Sequence, residues 1–519
     1  YVMTLIKELK VLLPHTDIWL GGPEVSYNRE EILQEHPEIT GVMCGEGERV
    51  FASLCDYYGN DTEGEFDSTP PQPIDLSSLP FIYADEAETE QGTELVPNAL
   101  FQSLRHKILY YETSRGCPFS CSYCLSSVDK RVRYRSMELV KKELLYFLSR
   151  NVKQVKFVDR TFNCSHARTL ELWRFLRDHD NGVTNFHCEI SADLINAEEI
   201  EVLKTLRPGL LQLEIGGQTA NPDALRAIHR TAPFAEIAEN VTQIAQAHNV
   251  HQHLDLIAGL PYEDFESFRT SFDAVYQLYP QELQLGFLKV LKGSYLEEMA
   301  QTYGIVYQSC PPYEVLYTKW LSYGDIIRLK RVEEMVELYY NSCQFTHTLP
   351  VLEKEFSSPF ALYEALSQYY EEKGYYINTP ARAYRYQVLL EFAQQKAPAR
   401  SELYAQLLTF DMYLRENLKS RPAFALCWQQ GEEEKEQVRA FYRQEAQTPQ
   451  YLTGYEGYQP QQLMKMTHIE YFTYPVWQQN MKMTQLSQKT AILFDYQKRD
   501  PLTYDAAYYM VIKEENGYE

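Results

Sequence analysis

The sequence predicts an α/β protein whose centre is a partial (βα)6 TIM-like barrel. A truncated Rossmann-like (flavodoxin-like) α/β unit precedes this barrel, and an α+β C-terminal domain follows it. Three observations predict this fold class: six apolar strand segments alternate with helical segments between residues 105 and 341, a shorter alternation occupies residues 1–60, and long helices replace the alternation after about residue 342. A chain of 519 residues is also long enough for about two to four domains.

The composition indicates which kinds of partner the protein is not expected to bind and in which cellular compartment it is expected. Asp and Glu total 72 against 49 Lys and Arg, and the formal charge of −23 repels phosphate backbones and anionic lipid. No segment approaches the roughly 18–20 consecutive apolar residues that span a bilayer. Ten cysteines in 519 residues are too few for a disulfide scaffold. We therefore expect a protein of the reducing cytoplasm that binds neither nucleic acid nor membrane.

Residues 1–60 predict half of a doubly wound α/β unit. An amphipathic helix opens the chain at Tyr1, and short strands are predicted at Ile18–Leu20 and Gly41–Met43. Helices are predicted from Arg29 and over Val50–Tyr58. Each strand is followed by a glycine turn, namely Gly21-Gly22-Pro23-Glu24 and Gly45-Glu46-Gly47-Glu48. Because the first residue is Tyr rather than Met and already lies in a helix, we expect the true N-terminus to be missing.

Residues 61–104 predict a linker between this unit and the barrel. The segment is acidic and Pro-rich, as in Thr69-Pro70-Pro71-Gln72-Pro73 and Asp85-Glu86-Ala87-Glu88. Such a composition does not sustain regular structure. We expect the linker to cross the surface of the protein.

Residues 105–341 predict the barrel. Six strands are expected, at Ile108–Glu112, Val155–Val158, Phe186–Ile190, Leu211–Ile215, His253–Ile257 and Leu283–Phe287. Ser136 provides an N-cap for the first of the clearest helices, which are Met137–Arg150, Arg168–His179, Ala197–Leu206, Phe234–His248 and Phe265–Leu278. In α/β barrels the active site lies at the carboxyl ends of the strands, so the loops after these strands are the predicted site of function.

Residues 342–519 predict a separate α+β domain. Its expected helices are Val351–Glu372, Ala383–Gln394 and Glu402–Leu418, and its expected strands are Ile469–Trp477, Ala491–Tyr496 and Ala507–Ile512. The region is rich in tyrosine. We interpret these side chains as core packing, because aromatic residues at helical or strand spacing usually fill cores.

The strongest chemical signal is a loop of three cysteines directly after the first barrel strand. Cys117, Cys121 and Cys124 follow the spacing C-x3-C-x2-C. Successive thiolates on so tight a loop reach three irons of a cubane cluster and leave the fourth iron without a protein ligand. That open iron can chelate the amino and carboxylate groups of S-adenosylmethionine. The sequence thus predicts a [4Fe-4S] cluster at this loop.

A structural zinc site is the alternative, and it would make the chain a zinc-binding scaffold protein. Zinc normally takes four protein ligands. The nearest candidates for a fourth, His106, Cys164 and His166, have no regular spacing to the three cysteines. Metal and sulfide analysis after anaerobic reconstitution separates the two interpretations, since one zinc per chain without sulfide would end the enzyme interpretation.

The cysteine loop, with the aromatic Tyr123 before its last cysteine, resembles that of the radical S-adenosylmethionine (SAM) superfamily, over about Ile108–Gly293. The resemblance implies an enzyme that reductively cleaves SAM at the cluster. It also implies that Tyr123 lies against the adenine and that Asp159, at the end of the second strand, borders the methionine amino group. The resemblance further implies that residues after the third and fourth strands contact the ribose and methionine side of the cofactor: Ser191, Asp193, Glu214 and Gln218.

Two further segments share this resemblance. Leu213–Thr219, followed by a helix that ends at Arg230, is similar to the family's fourth-strand segment, which brings polar groups to the pocket. Leu254–Pro261 is similar to its fifth-strand segment, where Gly259 is implied to let the backbone approach adenine closely. For each of these residues a buried capping or turn role is the alternative.

The glycine turns of residues 1–60 resemble the second half of a cobalamin (B12)-binding domain, which precedes the radical core in a large subgroup of this superfamily. This resemblance implies that the nucleotide tail of the corrin lies near the backbone amides of four glycines: Gly21, Gly22, Gly45 and Gly47. The family's histidine-bearing motif would lie upstream of Tyr1, so a unit of this size is not expected to hold cobalamin well. The region after residue 342 resembles the uncharacterised domain that accompanies some anaerobic bacterial members.

Together these patterns predict an oxygen-sensitive radical enzyme that acts on a small-molecule or peptide-like substrate. Reduction of the cluster implies an electron donor such as flavodoxin or ferredoxin. Hydrogen abstraction from an unactivated carbon and methyl transfer through cobalamin are both open. The alternative within enzymology is a cobalamin-independent oxidoreductase or cyclase whose first domain is a relic. The sequence does not identify the substrate.

Overall fold

The structure is a computed structural model that describes residues 2–60, 66, 72–87, 95–96, 98–104, 106–425, 431–478 and 483–513. The described residues form a small α/β unit, an open six-stranded barrel and an α+β region, in that order along the chain. The predicted fold class is confirmed. No helix in the described part of the chain is long and apolar enough to cross a membrane.

The first unit is a small α/β layer. It comprises α1 (Val2–Leu12), β1 (Trp19–Gly21), α2 (Pro23–Ser26), α3 (Arg29–Glu35), β2 (Gly41–Met43) and α4 (Gly47–Gly59). The two strands pair in parallel, with Trp19 opposite Gly41. Helices and strands meet in a core of Ile6, Val25, Ile32, Ile39 and Val42. Both predicted strands of this unit are therefore present, as are the turns that follow them.

Residues 72–104 correct the prediction of a linker that only crosses the surface. They contain regular structure, namely a 3-10 turn (Leu76–Ser78), the paired strands β3 (Glu86–Ala87) and β4 (Leu95–Val96), and α5 (Ala99–Ser103). Leu76 and Tyr83 are buried, and the ring of Tyr83 lies 5.4 Å from that of Phe147 in the barrel. A few buried apolar residues hold the segment in place. The prediction missed them because the segment as a whole is acidic. The predicted proline run at 69–71 lies outside the described residues.

The second unit is an open barrel built on one parallel sheet in the strand order β5-β8-β9-β10-β11-β12. Its elements are β5 (Leu109–Tyr111), the hairpin strands β6 (Ser114–Arg115) and β7 (Arg133–Tyr134), α6 (Met137–Ser149), β8 (Gln154–Phe157), α7 (His166–Asp178), β9 (Asn185–Ile190), α8 (Ala197–Lys204), β10 (Leu211–Gln218), α9 (Pro222–Ala227), α10 (Phe234–Ala245), β11 (His251–Ala258), α11 (Phe265–Tyr276) and β12 (Glu282–Phe287). Neighbours in the sheet follow chain order, as strand–helix–strand crossovers require. All six predicted strands are confirmed, with ends shifted by a few residues.

The two faces of this sheet differ in polarity. The residues that face the helices are apolar and fully buried, as are Leu211, Leu213 and Ile215 of β10. The alternate residues face inward and are polar, and the strand register places four of them in one row, Glu189, Glu214, His253 and Glu282. A parallel sheet covered on both faces is apolar throughout. The alternation therefore indicates that the inner face borders a cavity.

A connecting segment and an α+β region complete the chain. The connection holds α12 (Tyr295–Tyr303), the antiparallel strands β13 (Val306–Tyr307) and β14 (Val315–Tyr317), α13 (Tyr323–Met335) and a π-helix (Val336–Asn341). The last region holds α14 (Leu349–Leu352), α15 (Pro359–Glu372), α16 (Arg385–Lys396), α17 (Ser401–Arg415), α18 (Glu432–Gln447), α19 (Pro460–Met466), β15 (Thr467–Phe472), β16 (Thr490–Arg499) and β17 (Ala506–Lys513). Its three strands form an antiparallel sheet in chain order.

The helix predicted over Val351–Glu372 is wrong as a single element. α14 ends at Leu352, and α15 begins at Pro359 because the hydroxyl of Ser358 accepts the amide of Ala361 and caps a new helix. Proline suits the first turn of a helix and not its interior. Pro359 was therefore the feature of the sequence that indicated the start of a second helix. Helices α18 and α19 were not predicted.

Candidate active site

A tight turn directs the chain into the three cysteines. The amide of Cys117 donates to the carbonyl of Asp129 at 3.0 Å, and the hairpin β6–β7 closes the loop at its base. Gly116 has a φ of +98°, and a Cβ at this position would lie 2.4 Å from the carbonyl oxygen of Arg131. Only glycine accommodates both the left-handed conformation and the close approach. Gly116 therefore sets the path of the loop.

All three cysteines line one cavity at the carboxyl ends of the barrel strands, called here the cysteine cavity. Cys117 is buried, and Cys121 and Cys124 are half-buried. The cavity also contains residues that the family resemblance implied: Tyr123, Ser191, Asp193, Glu214, Gln218 and Arg230. Further lining residues were missed from the sequence, among them Arg160, Thr161, Glu189, His229 and Asp255. The cavity occupies the position where α/β barrels build their active sites.

Asp159 supports the cysteine loop and does not line this cavity. Its buried carboxylate accepts the amide of Thr113 at 2.7 Å, the hydroxyl of Thr113 at 2.5 Å and the hydroxyl of Ser114 at 2.7 Å. Burial raises the pKa of Asp159, and these donors act against that shift. The structure thus corrects the placement of Asp159 beside the cofactor, because its oxygens are occupied by the residues that begin the loop.

Arg230 is a half-buried cation beside the thiols. The amide of Ser122 donates to the carbonyl of Ile228 at 3.0 Å, which holds the cysteine loop next to Arg230. Burial raises the pKa of the Cys121 thiol and of the Tyr123 phenol, and the charge of Arg230 acts against both shifts. A cation at this position lowers the cost of holding cysteine as thiolate, the form that binds iron.

Gln218 ends β10 in a strained conformation. Its φ is +61°, and the pairing with β11 shifts register between Gly216 and Gln218. A left-handed backbone at such a residue costs about 1–3 kcal/mol and is typical of functional sites. Its Oε1 is buried and has no hydrogen-bond partner within the described residues. The side chain thus provides an acceptor that a bound ligand could satisfy.

Ser191 and Asp193 are held in the cavity by a buried amide. Asn163 accepts the amide of Ser191 at 2.9 Å and donates to the carbonyl of Ser191 at 2.8 Å. The hydroxyl of Ser191 donates to Asp193 at 2.5 Å. Asn163 was missed from the sequence, because a polar residue in a loop gives no periodic signal.

Glu189, Glu214 and Asp255 form an acidic side of the cavity. The Oε2 atom of Glu214 lies 2.9 Å from both the Nε2 atom of His187 and the Nζ atom of Lys156. The contact with His187 lowers the pKa of Glu214 to about 2. Lys156 also lowers this pKa, whereas burial acts in the opposite direction. Burial raises the pKa values of Glu189 and Asp255. The sequence signal was a charged residue at alternate positions of otherwise apolar strands.

Glu263 supports the end of β10 from behind the cavity. The hydroxyls of Thr219 and Ser271 both donate to its Oε1, and Thr219 follows Gln218 directly. Burial raises the pKa of Glu263 from 4.5 to about 7 against these hydrogen bonds. Between these two values the folded chain binds a proton that the unfolded chain has released, so stability falls as the pH rises.

We expect Glu263→Gln to remove this pH dependence. Glutamine keeps a neutral acceptor for the hydroxyls of Thr219 and Ser271. When the pH exceeds its folded-state pKa, the wild-type carboxyl must instead ionise in a buried site. The variant should therefore gain about 3 kcal/mol relative to wild type between about pH 5 and pH 8, measured from urea midpoints. Glu266→Gln, at an exposed position of α11, is the matched control. Parallel pH profiles for wild type and E263Q would refute the explanation.

The glycines singled out in the sequence lie outside the cysteine cavity. A Cβ at Gly259, whose φ is +94°, would lie 2.8 Å from Val315, so this glycine allows close packing against β14, and its predicted approach to adenine stays a prediction. In the first unit Gly21 ends β1 and the other predicted glycines follow the strands, and no atom would lie within 4 Å of a Cβ at Gly22 or Gly47.

Carboxylates on these turns connect the first unit to the cysteine loop. Nη2 of Arg115 lies 2.7 Å from Oε1 of Glu48, and its Nη1 lies 3.4 Å from Oε1 of Glu46. Arg133 of β7 also pairs with Glu46. Burial opposes the charge of Glu46, yet Arg133 and Arg115 lower its pKa overall. The second glycine turn therefore lies against the base of the cysteine loop.

The site offers three thiols around one cavity. Such a donor set suits a cubane, in which each thiolate binds a different iron. Among the residues that the structure describes, no three His, Cys, Asp or Glu side chains form a group that could hold one metal ion. The half-buried cation of Arg230 and the unsatisfied acceptor of Gln218 suit the carboxylate and the amino group of SAM.

The solved structures that resemble the chain include the following two. One is OxsB, a cobalamin-dependent S-adenosylmethionine radical enzyme with aqua-cobalamin and S-adenosylmethionine bound, at a TM-score of 0.49 and 13% identity over 78% of this chain and 68% of that one. The other is the radical S-adenosylmethionine methyltransferase TsrM from Kitasatospora setae with cobalamin and a [4Fe-4S] cluster bound, at a TM-score of 0.48 and 17% identity over 60% of this chain and 66% of that one.

The curated relatives include proteins named as methyltransferases and proteins named as cyclases. An uncharacterized methyltransferase of Pyrococcus horikoshii is 26% identical over 51% of this chain and 58% of the relative. The cobalamin-dependent radical SAM methyltransferase TokK of Streptomyces tokunonensis is 25% identical over 51% of this chain and 41% of the relative. The chain thus spans about half the length of these relatives.

Family models match both the barrel and the region after it. Residues 111–275 match the radical SAM superfamily, and this range contains the three cysteines and four of the six barrel strands in full, β8 to β11. Residues 301–494 match a protein family of unknown function, DUF4080. The chain therefore carries a radical SAM domain, followed by a DUF4080 region.

Proposed function

We propose that this chain reductively cleaves SAM at a [4Fe-4S] cluster held by Cys117, Cys121 and Cys124. The observation that carries the proposal is the convergence of these thiols on one cavity at the carboxyl ends of the barrel strands. When bound, the cluster supplies the electron that breaks a carbon–sulfur bond of SAM and starts radical chemistry. The electron would come from a donor such as flavodoxin or ferredoxin, which favours a cytoplasmic enzyme.

The protein's own residues would bind and orient the cofactor. Arg230 offers a half-buried positive charge to a carboxylate, and Gln218 offers an acceptor to an ammonium group. Tyr123 offers an aromatic ring beside the thiols. Gln218 is held at the end of β10, and the amide of Ser122 ties the cysteine loop to the segment before Arg230. The surrounding walls would exclude water from the reacting atoms.

The test is formation of 5′-deoxyadenosine by the anaerobically reconstituted full chain. We expect about four irons and four sulfides per chain, and mass spectrometry should detect 5′-deoxyadenosine after dithionite reduction in the presence of SAM. The matched control is the same sample without reductant. One zinc per chain without sulfide, or a reduced cluster that leaves SAM intact, would refute the proposal and favour the scaffold interpretation.

Methyl transfer through cobalamin is the finer part of the proposal. The methyltransferase relatives support it, as do the contacts of Glu46 and Glu48 with the cysteine loop. The described residues of the first unit pair two strands in parallel, and a cobalamin-independent oxidoreductase or cyclase is the alternative. In the same assay, added cobalamin should give a corrin absorption band on the purified protein and a methylated product. Unchanged absorption favours the alternative.

A further inference from the structure

A second cavity of about 510 Å³ lies at the opposite end of the barrel. Its lining includes Tyr276 at the end of α11 and Gln281 just before β12, so it borders the amino ends of the strands. The strand that separates it from the carboxyl ends has six residues, which corresponds to about 20 Å. The volume is typical of small-molecule sites. We call it the lower cavity.

Tyrosine rings form the walls of the lower cavity. The hydroxyl of Tyr276 pairs with that of Tyr363 at 3.2 Å, the hydroxyl of Tyr339 pairs with that of Tyr370 at 2.6 Å, and Tyr340 donates to a backbone carbonyl. These hydroxyls are therefore engaged in the protein, and the rings present their aromatic surfaces. Tyr339 and Tyr340 lie on the π-helix that follows α13, and π-helical turns are frequent at functional sites.

A histidine fixed by a carboxylate lines the same cavity. His347 is 7% exposed, and its Nδ1 lies 3.1 Å from Oδ1 of Asp411. Asp411 also accepts the amide of His347 and both the amide and the hydroxyl of Thr348. A carboxylate only accepts hydrogen bonds, so Nδ1 carries a hydrogen, and in a neutral imidazole Nε2 is then the acceptor. The polar contacts of the His347 ring with other described residues are both at Nδ1, which leaves Nε2 for a ligand.

We propose that the lower cavity binds a small aromatic amine, with Nε2 of His347 as the acceptor for one of its N–H groups. The tyrosine walls suit both a flat ring and a cation over the ring faces. No Lys or Arg is among the described residues that line the cavity, and the carboxylate of Asp505 that lines it is paired with Arg415 at 3.2 Å. The faces of the tyrosine rings therefore attract a cationic ligand, and they offer no such attraction to an anionic one. The proposal is independent of the cluster chemistry.

Isothermal titration of the full chain with tryptamine tests this inference. The protein is loaded with cluster and SAM so that the cysteine cavity is filled, and the titration is repeated on the unloaded chain. We expect one tryptamine per chain in both samples. His347→Asn keeps a side-chain N–H that can donate to Asp411 but does not reach the position of Nε2, so it should weaken binding by about tenfold or more.

The matched control is His166→Asn, because His166 also lies next to a buried carboxylate, that of Glu199, but on the surface of the barrel. This variant should bind tryptamine as wild type does. Indole-3-acetate replaces the ammonium by a carboxylate and should bind at least about tenfold more weakly than tryptamine. Absence of saturable tryptamine binding, equal affinity in H347N, or equal affinity for indole-3-acetate would each overturn the proposal.

Discussion

Replacement of Cys121 by alanine is expected to abolish the cluster and to lower 5′-deoxyadenosine formation by about a hundredfold or more, to background. Each thiolate binds a separate iron, so two remaining thiolates leave two irons without protein ligands. Cys121 is half-buried, and the loop around it is closed by backbone hydrogen bonds that the substitution does not touch. We expect the chain to stay folded, which circular dichroism will check.

Cys310→Ala is the control for this experiment. Cys310 is also a free cysteine, but it is exposed and does not line the cysteine cavity. Iron, sulfide and 5′-deoxyadenosine should remain at wild-type levels in C310A. If C121A retained full iron and sulfide together with SAM cleavage, the cluster would have to be held elsewhere on the chain.

The second large effect is expected on stability, from Arg135→Met. Arg135 and Glu143 are both buried, and Nη2 of Arg135 lies 2.5 Å from Oε1 of Glu143. Arg135 also donates to the carbonyls of Leu76 and Leu79, so it ties the segment before the barrel to the sheet. Methionine leaves the carboxylate of Glu143 buried without its cation, which costs about 3–5 kcal/mol.

Hydrogen–deuterium exchange of β5 and α6 measures this loss as a fall in the local opening free energy. The control is Arg174→Met, because Arg174 pairs with Glu198 at 2.5 Å on the surface, where an ion pair contributes about 0–1 kcal/mol. Arg135→Met combined with Glu143→Leu should recover part of the loss, since no unpaired charge then remains buried. A loss in R135M no larger than in R174M would contradict a stabilising role for the buried pair.

Much of the fold could be predicted because its signals are local. The six barrel strands were recognisable from short apolar runs, and the helices between them from their period and from caps such as Ser136. The three cysteines lie within eight positions on one loop, so their spacing alone indicated a shared ligand. The break at Ser358–Pro359 was missed because the apolar period continues across it.

The direction of a side chain at a strand end was not predictable in the same way. Asp159 follows the end of β8 and Glu214 lies within β10, and one carboxylate turns behind the cysteine loop whereas the other faces the cavity. Gly259 is predicted to allow the approach of a ligand, and in the structure Val315, far along the chain, comes close to it. Register shifts such as the one at Gln218 decide these directions, and the pattern of residue types does not encode them.

The sequence by itself determined the fold class, the order of the strands along the barrel and the set of thiols for a cluster, since periodicity and close spacing act within a few residues. Only the tertiary structure decided which polar groups share the cysteine cavity, how Glu46 meets Arg115, and how Asp411 orients His347 in the lower cavity. Those partners are far apart in the chain. Their contacts depend on how whole elements pack, which no local pattern specifies.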